Sequence, residues 1–242
     1  MKHQEIIDRL RNDEDYYGDF GKQYLSNSDI HALLRNPLAF KEDMGMNTAF
    51  LVGGYFHTAI LEPDKLKKYR IIEASTRATK KYKEISDGEM CLLQHEVDQI
   101  ELMQDRLLGN DVCNHLIRNG DIEYEVPNVT NIGGNMWKGK ADIVHKDYVI
   151  DLKTTSNLDD FKWNARKYNY DSQAFIYQKL FGKPMMFLVI EKKTGRMGMF
   201  TGGDDFYQRG KDKMHRAIDV YHKFFSDEST IDIQNYYVKE EI

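Results

Sequence analysis

The sequence predicts an α/β (α+β) fold, a central mixed β-sheet flanked by helices, on three observations. The stretch from Trp137 to Lys153 (WKGKADIVHKDYVIDLK) reads as two short strands joined by a tight turn at Lys146-Asp147. Pro184 to Glu191 (PMMFLVIE) is an apolar run of strand length, the pattern of a strand buried on both faces. From Asp87 to Asn119, Met90, Leu93, Val97, Ile100, Met103 and Leu107 recur at intervals of three and four, the stripe of a long helix.

In chain order, residues 1–24 are acidic and tyrosine-bearing, with a short helical pattern in Ile6, Ile7 and Leu10, and read as a peripheral N-terminal arm. Residues 25–242 read as a single domain, because no repeat or low-complexity linker divides them. The domain opens with a helix at Leu25-Ser26-Asn27-Ser28-Asp29, where Ser26 and Asp29 have capping-box spacing. That helix turns Ile30, Leu33 and Leu34 inward and stops before Pro37, since the residue preceding a proline is pushed out of helical geometry. Thr48 to Glu62 is a second helix, closed by Pro63, with Phe50, His57 and Leu61 near one face. Gly53 and Gly54 leave room for a backbone or ligand to approach His57. The long stripe breaks at Gly109-Asn110 and resumes through Val112 and Leu116.

Ile122 to Thr130 is the first strand of the sheet, and residues 131–135 (NIGGN) form a hairpin loop into the Trp137–Lys153 stretch. Beyond Lys153 a helical region begins at Asn157 to Asp160. A further helix, Asp171 to Phe181, carries Ala174, Tyr177, Leu180 and Phe181 inward and ends at Gly182 and Pro184. The apolar strand then turns at Thr194-Gly195 into a neighbour, Arg196 to Thr201. An amphipathic helix from Gly203 to Ser226 closes the domain, and Asp227 to Ile242 reads as an edge segment or tail.

The chemistry concentrates in the Trp137–Lys153 stretch. Residues two apart on a strand share a face, so Asp151 and Lys153 point one way while Leu152 enters the core. Asp142 lies on the paired strand, within cross-strand reach of Asp151 in the right register. Two carboxylates and a main-chain carbonyl, for which Leu152 is the candidate, suit a hard cation such as Mg²⁺ that keeps several waters. Such a cation acidifies a bound water and neutralises phosphate charge, and Lys153 would hold that water or stabilise developing charge without ligating the metal. Asp160-Phe161-Lys162 and Glu191-Lys192-Lys193 repeat the acid-x-lysine spacing but lack both the apolar run and the earlier acid. A hairpin whose charges merely face water remains the competing reading of these residues alone.

Other candidates are weaker one by one. His57 on an apolar helix is equally a packed core histidine. Lys65 to Asp87 is basic with interleaved aromatics, including Arg77, Lys80 and Lys81, and suits either strand tracking or a solvated loop. Lys162, Arg166 and Lys167, with Trp163, Tyr168 and Tyr170, form a second such cluster. Gln173 and Tyr177 are four apart on one helix face and could hold a phosphate or the site carboxylates, or simply pack. Glu125 lies on the first strand and could add an acid behind the site, but a solvent-facing side chain is the favoured reading.

Bulk properties narrow the class. A formal net charge of -5 argues against coating nucleic acid by bulk electrostatics, though not against a local basic track. Mean hydropathy is -0.65, and no apolar run approaches the roughly 18 residues of a membrane span, nor does an apolar signal region follow Met1. Cys91 and Cys113 are the only cysteines, too few for a four-cysteine iron–sulfur cluster, so none is expected. A cytoplasmic, disulfide-free protein is the expectation.

The order helix–strand–strand–strand–helix–strand, with Asp142 and Asp151-x-Lys153 on the central hairpin, resembles the PD-(D/E)XK nuclease superfamily and its restriction-endonuclease-like core. The finer resemblance is to the RecE-type, exodeoxyribonuclease VIII-like exonucleases of phages and prophages. It rests on Leu25-Ser26-Asn27-Ser28 with Leu33-Leu34-Arg35-Asn36-Pro37, on Gly53 to Pro63 around His57, on Gly139-Lys140-Ala141-Asp142 with Ile150 to Thr155, and on the Gln173-x-x-x-Tyr177 spacing of RecB-like nucleases. These motifs follow one another in the family's order from Leu25 to Phe200. The proline that precedes the first acid in many members is absent, as in many RecB-like ones.

The resemblance implies a metal bound by His57, Asp142, Asp151 and the Leu152 carbonyl, with Mg²⁺ as the ion and Mn²⁺ as a substitute. It implies that Lys153 positions the attacking water, and that Gln173 and Tyr177 line the site or contact DNA. By the same route the expected activity is exonucleolytic hydrolysis of linear double-stranded DNA, 5′→3′. The 3′ tails would be used in recombination by a single-strand annealing protein, and the enzyme would form a homo-oligomeric ring around DNA ends. Two alternatives stay open at this point: an endonuclease with the same site, and a non-catalytic DNA-binding scaffold on a nuclease fold.

Overall fold

The chain's capping residues decide where its helices begin. The computed structural model describes residues 1–42 and 45–238. The first three helices are α1 (His3–Leu10), α2 (Asp13–Tyr17) and α3 (Asp19–Lys22). Next is α4 (Asn27–Arg35), whose Asp29 carboxylate accepts from the Ser26 N–H at 2.7 Å, as the capping spacing predicts. Helix α5 (Thr48–Leu61) is capped by Asn47, which accepts from the Phe50 N–H, and ends before Pro63. A small lobe follows, built from β1 (Ile71–Ile72), α6 (Lys80–Ser86) and β2 (Leu92–Leu93). Helices α7 (Gln94–Gly109) and α8 (Asp111–Arg118) lead into β3 (Glu123–Ile132), β4 (Asn135–Val144) and β5 (Val149–Thr155). The chain then runs through α9 (Phe161–Lys167), α10 (Tyr170–Phe181), β6 (Met185–Glu191), β7 (Met197–Thr201) and α11 (Asp204–Phe224). Among the described residues no helix is long and apolar enough to cross a membrane.

The mixed sheet expected from sequence is present as five strands in the order β3-β4-β5-β6-β7. Within this sheet β5 and β6 are the parallel pair, as a connection through two helices requires. On one face, α4, α10 and α11 pack over Trp137, Ala141, Val149, Phe187 and Val189; on the other, α5, α7 and α8 pack over Ile143, Ile150, Leu152, Leu188 and Ile190. Strand β6 therefore feeds alternate residues to two cores, which is why its sequence reads as an unbroken apolar run. Gly210, where an added Cβ would lie 2.1 Å from the Asp171 carbonyl oxygen, lets α11 press directly onto α10.

Several boundaries differ from the sequence reading. The long helix begins at Gln94, not Asp87: Leu92 and Leu93 pair with β1, and Met90 is exposed. Phe50 is also exposed, while Leu61 is buried, so the two do not share a buried face. The hairpin turn is only Gly133-Gly134, both at positive φ, which suits a two-residue turn between right-twisted strands. Residues of the expected arm fold onto the outside of β3, where Ile7, Leu10, Tyr16, Phe20 and Tyr24 bury against Val129. Residues 239–242 of the expected tail lie outside the described residues.

One irregularity of the sheet creates the site. Ala141 and Ile143, two apart on β4, belong to opposite cores, so alternation reverses at Asp142. Directly across, on β3, Glu125 adopts φ +50 between Tyr124 and Val126, which pair with Ile143 and Ala141. Strands β4 and β5 pair only through Ile143–Ile150 and Val144–Val149 and then diverge. The sheet opens there into a fork, and the Leu25 backbone takes over the vacated edge of β4 by bonding Met136 and Lys138.

Candidate active site

The fork is where the two acids meet. With no β4 backbone opposite it, the Leu152 N–H donates instead to Asp142 Oδ2 at 2.7 Å. A strand residue presents its N–H and C=O to the same side, so the Leu152 carbonyl is directed into the fork beside Asp142. Helix α5 reaches in from one layer and sets His57 Nδ1 3.3 Å from Asp142 Oδ2. Helix α10 reaches in from the other, and Gln173 Nε2 donates to Asp151 Oδ1 at 2.6 Å. Lys153, on the same face of β5 as Asp151, forms an ion pair with Asp151 Oδ2. Leu152, between them, is fully buried as expected.

Burial makes these charges interdependent. Burial opposes ionisation of Asp142, but the neighbouring His57, then Lys153 and the Leu152 N–H, outweigh it and hold the carboxyl below its usual range. Asp151 goes the other way: burial, with Asp142 close by, pushes its carboxyl up despite Lys153. Burial would lower the Lys153 ammonium, yet Asp151 and Asp142 raise it and keep it charged. Burial likewise opposes a charged His57, and Asp142 overrides it, lifting the imidazole to about 9. Like-charged neighbours with divergent proton affinities are the pattern of a site built for charge rather than for stability.

The supports are specific. Asp171, fully buried at the start of α10, is held by Lys213 at 2.8 Å and approached by Arg209 at 3.9 Å, both from α11. Asn27 on α4 donates to the Asn169 carbonyl and accepts from Ser172 Oγ at 2.6 Å. Together these fix the helix that delivers Gln173. Tyr177 does not touch the carboxylates: its hydroxyl donates to the Lys140 carbonyl at 3.0 Å and braces the free edge of β4. Burial holds its phenol well above the ordinary range.

The basic residues divide into two groups. Arg77, expected on a DNA-contacting face, is committed to Glu96 through two bonds of 2.8 and 2.6 Å and to the Cys91 carbonyl, and so clasps the small lobe. Lys80 and Lys81 are exposed on α6, whose buried Tyr82 packs with Ile72, Cys91 and Leu93 in a cluster of its own. Lys162, Arg166 and Lys167 are exposed on α9, and this cluster is continuous with the fork. Lys153 Nζ lies 5.0 Å from the Tyr170 ring centre, Tyr170 is 6.1 Å from Tyr168, and Lys167 stands 5.4 Å over Tyr168.

Glu125 is the residue that sequence reading placed wrongly. It does not face solvent along the strand: one ligand atom each from His57, Glu125 and Asp142 lie within 4.8 Å of one another. Burial, then Asp142, push its carboxyl up to about 7. The signal was available, because a two-residue turn at Gly133-Gly134 places Glu125 opposite Asp142 in the hairpin register. The donor set here, one imidazole and hard carboxylate oxygens, fits a divalent cation, and the span is compatible with bonds of about 2.0–2.6 Å to one ion.

Comparison with a solved structure agrees with this architecture. A crystal structure of a protein named as a candidate exonuclease of Eubacterium rectale aligns with a TM-score of 0.66 at 18% identity, covering 96% of this chain and 95% of that one. A phage-related exonuclease from Haemophilus somnus 129PT aligns more loosely, with a TM-score of 0.37 at 14% identity over 82% and 93% of the two chains. Among curated protein sequences, nothing matches. The family model described as a PDDEXK-like domain of unknown function (DUF3799) matches residues 24–232, leaving α1–α3 outside. That span takes in the whole five-stranded sheet and every residue of the fork, and the chain belongs to this PDDEXK-like family.

Proposed function

We propose that the protein is a Mg²⁺-dependent deoxyribonuclease, with Mn²⁺ able to substitute, that degrades linear double-stranded DNA from its ends. The observation that carries this reading is the convergence of His57, Asp142, Asp151, Lys153 and Gln173 in one fork, drawn from both helical layers and two strands. His57, Asp142 and Asp151, with the Leu152 carbonyl, would hold the cation. Bound there, it supplies Lewis-acid chemistry: a more acidic water and neutralised phosphate charge.

The chain's own residues do the rest. Lys153, charged and anchored on Asp151, orients the attacking water and stabilises charge as it develops on the phosphate. Gln173 fixes the Asp151 carboxylate, so that its oxygens are presented in one orientation. The water oxygen attacks phosphorus in line, the P–O3′ bond breaks, and the products are a 3′-hydroxyl and a 5′-phosphate. The track from Tyr170 through Tyr168 and Lys167 offers stacking and phosphate contacts to the strand beside the cut.

Digestion 5′→3′, the use of 3′ tails by a single-strand annealing protein, and a homo-oligomeric ring belong to the same proposal; the likeness to RecE-type exonucleases supports them. The test is digestion of linear and covalently closed circular duplex in Mg²⁺ and in EDTA. Mg²⁺-dependent loss of the linear form, with circles left intact, supports an exonuclease. Cutting of closed circles would establish an endonuclease instead.

A further inference from the structure

We infer that Glu125 is a cation ligand of the fork, and that β3 is kinked in order to deliver it; this rests on the metal-dependent reading above. Among the described residues, four non-glycine positions have positive φ: Lys41, Asp87, Glu125 and Asn169. Asp87 and Asn169 flank helix ends and Lys41 lies in a turn, where such geometry is ordinary. Glu125 alone lies inside a β-strand. A left-handed backbone disfavours a glutamate, whereas glycine would adopt it without strain.

The kink has two effects. It sends Tyr124 into the core, where its hydroxyl bonds the Ile117 carbonyl, and it turns the next side chain toward Asp142. The Glu125 carboxylate has no hydrogen-bond or ion-pair partner among the described residues, although it sits beside a second carboxylate. Two adjacent acids, one of them unpartnered, with an imidazole in reach, form a seat for a positive ion. Asp151, across the fork, is by contrast engaged by Lys153 and Gln173. The ligand class is a hard divalent cation, and Glu125 joins His57 and Asp142 among the groups that hold it.

The test is Mn²⁺ binding, followed by electron paramagnetic resonance without DNA, together with thermal melting in EDTA. Three proteins are compared: wild type, Glu125→Gln and Glu125→Gly. Glu125→Gln keeps the side chain's shape and removes its charge, and is expected to weaken Mn²⁺ binding at least about tenfold. Glu125→Gly is expected to weaken binding equally while raising the metal-free melting temperature by about 2–4 °C, because the left-handed position becomes unstrained. Wild-type affinity in Glu125→Gln overturns the assignment. So does a Glu125→Gly protein that binds Mn²⁺ like wild type. Failure of wild type itself to bind Mn²⁺ would overturn the metal reading of the whole fork, and this inference with it.

Discussion

The pairing of His57 with Asp142 predicts a particular dependence of stability on pH in the metal-free protein. The perturbation is Asp142→Asn, which removes the anion yet keeps an oxygen to accept from the Leu152 N–H. In the native protein the imidazole is lifted from 6.5 to about 9. Taken at face value that is at most about 3 kcal/mol in favour of the charged ring. The His57 side chain is 29% exposed and the contact is 3.3 Å long. Solvent screening reduces the expected contribution to about 1–2 kcal/mol.

The sign follows from which state binds the proton more tightly. The folded protein holds the His57 proton better than the unfolded chain does. The stabilisation is therefore complete below about pH 6.5 and is lost as pH rises through about 9. Urea denaturation in EDTA at pH 6 and pH 10 measures it. Wild type is expected to lose at least about 1–2 kcal/mol more than Asp142→Asn over that interval, since the Glu125 carboxyl, pushed up to about 7 partly by Asp142, titrates in the same window and adds to the loss. A stability difference unchanged with pH, or an NMR titration placing His57 near 6.5 in wild type, would refute the reasoning. The pairing also bears on function, since a cation can use His57 only after that proton leaves; Mg²⁺ binding near neutral pH should release protons.

Two further predictions separate structural from DNA-facing cations. Arg77→Ala strands the half-buried Glu96 and is expected to cost about 2 kcal/mol in urea denaturation, with DNA affinity per folded molecule unchanged. The combined change Lys162→Ala, Arg166→Ala and Lys167→Ala is expected to leave stability unaltered. It should lower duplex affinity and reduce the dependence of log Kd on log salt by up to about 3 in fluorescence anisotropy, roughly one for each phosphate that is no longer neutralised. An unchanged salt slope would remove this cluster from the DNA path.

The hairpin acids were legible because their signals are local: a period-two apolar run, a tight turn, and Asp151 and Lys153 two apart on one face. The layered fold was legible for a similar reason, since β6 advertises burial on both faces as uninterrupted hydrophobicity. His57 and Gln173 carried no local signal. The fork unites them only because β4 and β5 part after Ile143–Ile150, and strand divergence leaves no mark in composition. Glu125 escapes a reading by alternation, because the reversal in β3 depends on one left-handed residue. Arg77 and Lys167 look alike in a charge run; only the position of Glu96 shows that one clasps the protein and the other stays exposed. The N-terminal segment read as an arm because its acidic residues masked Ile7, Leu10, Tyr16 and Phe20, which become a buried row once helices form.

The central claim is that Lys153 and the two carboxylates cut phosphodiester bonds. The most direct measurement is release of labelled nucleotides from a linear duplex by wild type and Lys153→Ala, each in Mg²⁺ and in EDTA, with folding of both proteins checked by circular dichroism. The account predicts release by wild type in Mg²⁺ only, and a rate at least about 100-fold lower for a folded Lys153→Ala protein. Equal rates for the two proteins, or wild type that binds the duplex and never cuts it in Mg²⁺ or Mn²⁺, would contradict it.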